Sequence, residues 1–190
     1  MSFLRDRFQR FLRDEDGIIL AEFLILLPLL IWAFIAIFVY WDAFRVINTS
    51  QKASYAISDL ISRQGDVTGN YIDGMEDVMG FLLNRADDVR IRITSVEWAE
   101  EDDQYQVLFS RSPSDRMPVQ TSATLDDFRS RIPALTNLES VVIVETEVDY
   151  RPTFDVGVRP QTVRNFLVTR PRFYRRICMV ESMDTCPPIF

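Results

Sequence analysis

Gly17 to Trp41 reads GIILAEFLILLPLLIWAFIAIFVYW, and a single formal charge, Glu22, interrupts it. From Ile18 to Trp41 the apolar run is about 24 residues. As a helix it is about 36 Å long, enough to cross a bilayer with some tilt. A carboxylate at the bilayer centre costs roughly 2.5–3.5 kcal/mol, and less near an end, so an acid inside such a helix usually has a partner or a task. Glu22 is the fifth residue counted from Ile18, and Gly17 stands between the acidic patch Asp14–Asp16 and the apolar run. The plain alternative is a signal anchor in which Glu22 snorkels to the interface.

On the N-terminal side, MSFLRDRFQRFLRDED places Phe3, Leu4, Phe8, Phe11 and Leu12 at helical spacing, which predicts a short amphipathic helix at the membrane surface. The segment is too long and too mixed in charge for the basic end of a secretory signal. The run after it is too long for a signal core, and no small-x-small cleavage site follows. The absence of a nearby Cys excludes a lipoprotein signal. Arg5, Arg7, Arg10 and Arg13 favour a cytoplasmic N-terminus, with the domain beyond the helix on the far side of the membrane. Pro28 removes one helical hydrogen bond, which membrane helices tolerate.

The sequence Gly17-Ile18-Ile19-Leu20-Ala21-Glu22-Phe23, with Asp14-Glu15-Asp16 before it and Leu27-Pro28-Leu29 after it, resembles the N-terminus of type IV pilin-like proteins. The aromatic after the glutamate is similar to the tight-adherence branch, and the longer pattern resembles TadE-like pilus assembly proteins. The likeness covers the first 45 residues or so closely, and the rest only in layout. It implies cleavage by a prepilin peptidase between Gly17 and Ile18, and assembly or recognition through Glu22 and Phe23. It also implies a bacterial inner-membrane protein, single-pass, with its C-terminal domain periplasmic or pilus-associated. The partners implied are the prepilin peptidase, other pilins and pseudopilins, and the inner-membrane assembly platform.

Bulk composition narrows the alternatives. A net charge of −7 argues against nucleic acid as a partner. The chain contains no His, which removes His-based triads, His metal sites and His pH switches. Two Cys cannot form a four-thiolate zinc site, and no phosphate-binding glycine loop is present. No cofactor or metal is expected. Cys178 and Cys186 lie close together, and a disulfide between them closes a loop of about 9 residues, stabilising by ~2–3 kcal/mol; two free thiols are the alternative.

Beyond Trp41 the helix is expected to continue to Gln64, with Phe44, Ile47, Ser54, Ile57 and Ile61 as an inward stripe beside Ala53, Ala56 and Leu60, and Gly65-Asp66 as the stop. Thr68 or Asn70 caps a second helix with Ile72, Met75, Met79 and Leu82 on one face. The period then changes to two. Val89, Ile91 and Ile93 predict a strand with a slip near Ser95-Val96, and Glu100–Asp103 predicts a turn into Tyr105, Val107 and Phe109. Residues 111–122 read as a loop. Thr124 is placed as the cap of a short helix holding Leu125, Phe128 and Ile132. Val142, Val144, Thr146, Val148 and Tyr150 form the clearest strand, and 163–169 the last. Glu145, Glu147 and Asp149 share one strand face; a solvated charged face is preferred over an acid–base pair. Arg170, Arg172, Arg175 and Arg176 form a basic patch, read as pairing locally in preference to docking an acidic subunit.

The expected fold is α+β: a long N-terminal transmembrane helix that continues into a pilin-like domain with an antiparallel sheet. The chain divides into a leader (1–17), a transmembrane helix (18–41) and an extracytoplasmic domain (42–190). The function expected is that of a non-enzymatic structural minor pseudopilin of a tight-adherence pilus. The rival is an uncleaved, signal-anchored extracytoplasmic enzyme or sensor domain.

Overall fold

The computed structural model describes residues 17–84 and 88–182, with side chains described for 21–84 and 88–181. The amphipathic helix expected in the leader lies outside them. The chain forms two compact units, Met1–Asp42 with Pro152–Arg159, and Ala43–Arg151 with Pro160–Phe190.

Helix α1, Gly17–Ser62, is 46 residues long and carries Pro28 within it. Among the described residues it is the one helix long and apolar enough to cross a membrane. In its first unit the side chains are largely unpacked: Leu24, Ile25, Trp32, Phe34 and Ile37 are all more than half exposed. A helix that is apolar all round and mostly exposed suits a lipid environment; Val39, near its end, is the buried exception.

In the second unit α1 buries Ala43, Val46, Ser50, Ala53, Ser54, Ile57, Ser58, Ile61 and Ser62. The inward stripe is therefore rotated from the one expected. Ser54, Ile57, Ile61 and Ala53 are inside, but Phe44 and Leu60 are exposed, as is Ala56. The difference comes from serine. Ser50, Ser54, Ser58 and Ser62 recur every fourth residue, and the hydroxyls of Ser54 and Ser62 bond back to carbonyls of their own helix. Ser54 Oγ donates to the Ser50 carbonyl at 2.8 Å and shares a 2.7 Å hydrogen bond with Thr146 on the sheet. Asn165 Nδ2 donates to Ser50 Oγ at 2.8 Å and to Thr146 Oγ1 at 3.0 Å. A hydroxyl that bonds back to its own helix carries no unsatisfied polar group into the interface.

The sheet has the order β3-β2-β4-β5, every neighbouring pair antiparallel, from β2 (Val89–Ala99), β3 (Gln104–Arg111), β4 (Ser140–Tyr150) and β5 (Gln161–Thr169). The β2–β3 register shifts between Ser95 and Val96, where the sequence alternation slips. Thr146 marks the face toward α1; Val144 and Val148 share it, as do Ile91 and Ile93 opposite them. On the other face Val96, Tyr105, Leu125, Ile132, Val141 and Ile143 form a core cluster. It lies beneath the short helix α3 (Ser122–Leu125) and the 3-10 turn Asp126–Arg131. The cap of α3 is Thr121, not Thr124. Thr124 is three residues in and its hydroxyl accepts from the Thr121 N–H, so the two form a reciprocal capping box.

Helix α2, Gly69–Leu83, is capped by Thr68 and ends on Asn84 at φ 53°. Ile72, Met75 and Met79 face inward as expected, followed by Leu83 and not Leu82, which is 53% exposed. A two-residue parallel pair, β1 (Asp66–Val67) with β6 (Cys178–Met179), ties the C-terminal segment to the connection that follows α1.

Candidate functional site

The residues singled out at the mouth of α1 sit on continuous helix. The backbone is helical from Gly17, so the Gly17–Ile18 bond lies in the first turn. Ile18 and Glu22 are four residues apart, about 6 Å along the axis and on nearly the same face. The side chains of Gly17 and Ile18 are outside the described set. Glu22 and Phe23 are exposed, and among the described residues Glu22 has no hydrogen-bond or ion-pair partner.

In the second unit the sheet face turned away from α1 carries a charged network. The face was expected to meet water; Glu147 and Asp149 are partly exposed, and the register shows why Glu145 is not. Arg92 stands opposite Glu145, and Arg90 opposite Glu147. Glu145 is only 8% exposed and Arg92 7%. Arg92 Nε and Nη2 donate to the two Glu145 oxygens at 2.7 Å each, and Gln120 Nε2 adds a 3.3 Å bond. Arg92 Nη1 also donates to the Pro118 carbonyl. Bidentate geometry of this kind gives the strongest charge-assisted pairs. Arg90 bonds both oxygens of Asp149 at 3.0 Å and reaches Glu147 at 3.2 Å, while Arg164 reaches Glu147 at 3.0 Å. The Arg90-Ile91-Arg92 alternation held the signal for this network. The acidic strand alone does not reveal it, because the pairing depends on the register between β2 and β4.

A cleft of about 330 Å³ opens beside the network, lined by Arg92, Arg116, Phe128, Arg131, Arg164 and Phe166 among others. Phe128 and Phe166 stack at 5.4 Å, and the Arg131 guanidinium lies 4.0 Å from the Phe166 ring centre. Each carboxylate of the cleft is held by arginine, which suits ion pairing better than proton transfer.

Where β3 has left β2, side chains of α2 and the following loop cover the open margin. Glu76 Oε2 accepts from the Ile91 N–H at 3.2 Å, and Arg116 Nη1 donates to the Val89 carbonyl at 2.8 Å. Glu76 and Arg116 pair at 3.5 Å. Burial is the main influence on Glu76 and raises its pKa, against the Ile91 N–H and Arg116, which lower it. Arg111, at the end of β3, bonds both oxygens of Asp73 at 3.1 Å. Its guanidinium lies so close to Gly69 that a Cβ there would come within 2.8 Å.

The basic tail pairs locally. Arg170 meets Glu139 at 3.0 Å, Arg172 meets Asp59 at 2.7 Å and Arg176 meets Glu97 at 3.4 Å; Arg175 Nε donates to the Leu138 carbonyl at 3.4 Å. The tail also closes the end of α1, since the Arg172 N–H donates to the Ser62 carbonyl at 2.8 Å and the Cys178 N–H to the Gly65 carbonyl at 3.1 Å. Cys178 is disulfide-bonded; Cys186 lies outside the described residues. No family model, curated protein or solved structure matches the chain.

Proposed function

We propose that the chain is a membrane-anchored, non-enzymatic structural subunit, a TadE-like minor pseudopilin of a tight-adherence pilus. The observation that carries the reading is Glu22. It is the one charge in the apolar run from Gly17 to Trp41, five residues on from a Gly, and it has no partner among the described residues. A prepilin peptidase cutting after Gly17 removes the arginine-bearing leader and creates an ammonium on Ile18. In an axially shifted neighbour that ammonium meets Glu22, and the pairing relieves the desolvation of both charges and fixes the register. The continuity of α1 from the apolar segment into the domain supports a stem-like role. The domain lies on the periplasmic side of the inner membrane, and the partners are other pilins, pseudopilins and the assembly platform.

Intact mass of the full chain from membranes, with and without a co-expressed prepilin peptidase, tests the processing step. The expected result is loss of residues 1–17 only with the peptidase, and an uncut precursor for Gly17→Leu. Glu22→Ala is expected to be cut normally and to co-purify poorly with partner pseudopilins. Retention of the leader in the presence of the peptidase overturns the processing, and normal association of Glu22→Ala overturns the register argument.

A further inference from the structure

The segment joining β4 to β5, Pro152–Arg159, does not belong to the sheet-bearing unit. It forms one compact unit with the apolar part of α1. Gly157 fixes where it sits. A Cβ on Gly157 would lie 3.9 Å from the Tyr40 hydroxyl, and the residue holds φ +97°, a conformation that favours glycine. The loop is thus within one side chain's reach of Tyr40, which is 49% exposed; Trp41, next in the chain, is 59% exposed. These two aromatics close the apolar run, and Asp42 and Arg45 follow. Tyr and Trp at such a position mark the boundary between hydrocarbon and headgroups.

At that level the loop presents Phe154, 49% exposed, with Val156 and Val158 half-buried and Arg159 exposed. No ion pair holds Arg159 among the described residues. An aromatic ring beside the end of a membrane helix, with a guanidinium nearby, matches the headgroup zone: the ring enters the acyl boundary and the guanidinium meets lipid phosphate. Asp155, exposed beside Phe154, limits the depth to the interface.

We infer that the Pro152–Arg159 loop is a second membrane contact, in which Phe154 dips into the lipid interface beside Tyr40 and Trp41. This rests on α1 spanning a bilayer and not on its processing or pilus assembly. The test is a nitroxide label at Phe154→Cys in the full chain, in nanodiscs of phosphatidylcholine and phosphatidylglycerol. Cys178 is disulfide-bonded, and unsubstituted protein taken through the same labelling gives the background. Ile31→Cys serves as the lipid reference and Glu101→Cys, on the exposed hairpin turn, as the water reference. Accessibility to oxygen relative to a water-soluble nickel chelate is expected to be several-fold higher at 154 than at 101, and lower than at 31. A value at 154 equal to that at 101, with 31 in lipid, overturns the loop contact while leaving the anchor intact. A water-like value at 31 overturns both. A photoreactive benzoylphenylalanine at 154 gives an independent readout: crosslinks to lipid support the contact, and crosslinks to protein alone refute it.

Discussion

Arg92 and Glu145 are both buried, and the value of the pair depends on keeping both. Removing one partner strands the other charge in a poorly hydrated place, whereas replacing both with apolar groups of similar size removes the problem. Glu145→Ala is therefore expected to destabilise by about 3–5 kcal/mol. The double variant Arg92→Met/Glu145→Leu should recover most of that loss. Chemical denaturation of the full chain in detergent, followed by near-ultraviolet circular dichroism, measures both. Equal losses in the single and double variants would show that the residues matter for shape and not for mutual charge compensation.

Among the elements, the serine-faced part of α1 depends most on size. Ser54 is fully buried between its own helix and Thr146. Ser54→Leu inserts several methylenes into a close approach, and overpacking of this kind costs typically about 1–3 kcal/mol. Ser54→Ala keeps the fit but leaves Thr146 with Asn165 as its remaining side-chain partner, so its cost should be nearer 1 kcal/mol. A melting-temperature order of wild type, Ala, then Leu is the expected outcome; a Leu variant as stable as wild type would disprove tight packing at this face. The elements themselves were largely legible. Period-two alternation marked β2, β3 and β4, and even the slip at Ser95-Val96 showed in the sequence. The inward face of α1 was legible in part: Ala53, Ser54, Ile57 and Ile61 are buried as expected, while Ser50, Ser58 and Ser62 complete the face in place of Phe44, Ala56 and Leu60, because serine reads as polar. Leu82 and Leu83 are equally apolar, so composition could not choose between them. Glu145 looked solvated because nothing local says that arginines of β2 stand opposite.

Taken as a whole, the molecule should lose stability in acid. Glu139 is held below its ordinary 4.5, chiefly by the Thr136 N–H, and Glu181 likewise, chiefly by the Gly69 N–H. Asp59 lies below its ordinary 3.8, chiefly through the hydrogen bond from Arg63, with the Arg172 charge assisting. A lowered folded pKa contributes stability that is complete above the unfolded value and is lost as pH falls through the folded one. Stability is thus expected to decline as pH drops below about 4.5. Glu76, whose pKa is raised, works the other way: its contribution weakens as pH rises from the unfolded value through the folded one. Glu139→Gln with Glu181→Gln should flatten the acid side of the stability profile, measured by denaturation midpoints between pH 3 and 6 (about one unit either side of the carboxylate range). An unchanged slope would assign the acid loss to other groups.

The Glu76 and Arg116 contacts on the open margin of β2 bear on how the sheet meets neighbouring chains. A bare strand margin is a template on which a neighbouring chain can add a strand of its own, the usual start of sheet-to-sheet aggregation. Here the Ile91 N–H and the Val89 carbonyl are already occupied by a carboxylate and a guanidinium. An incoming strand would have to displace both, and break their mutual pairing, before its first hydrogen bond formed. Even at high local concentration, this stretch of the sheet is protected from polymerising through its backbone.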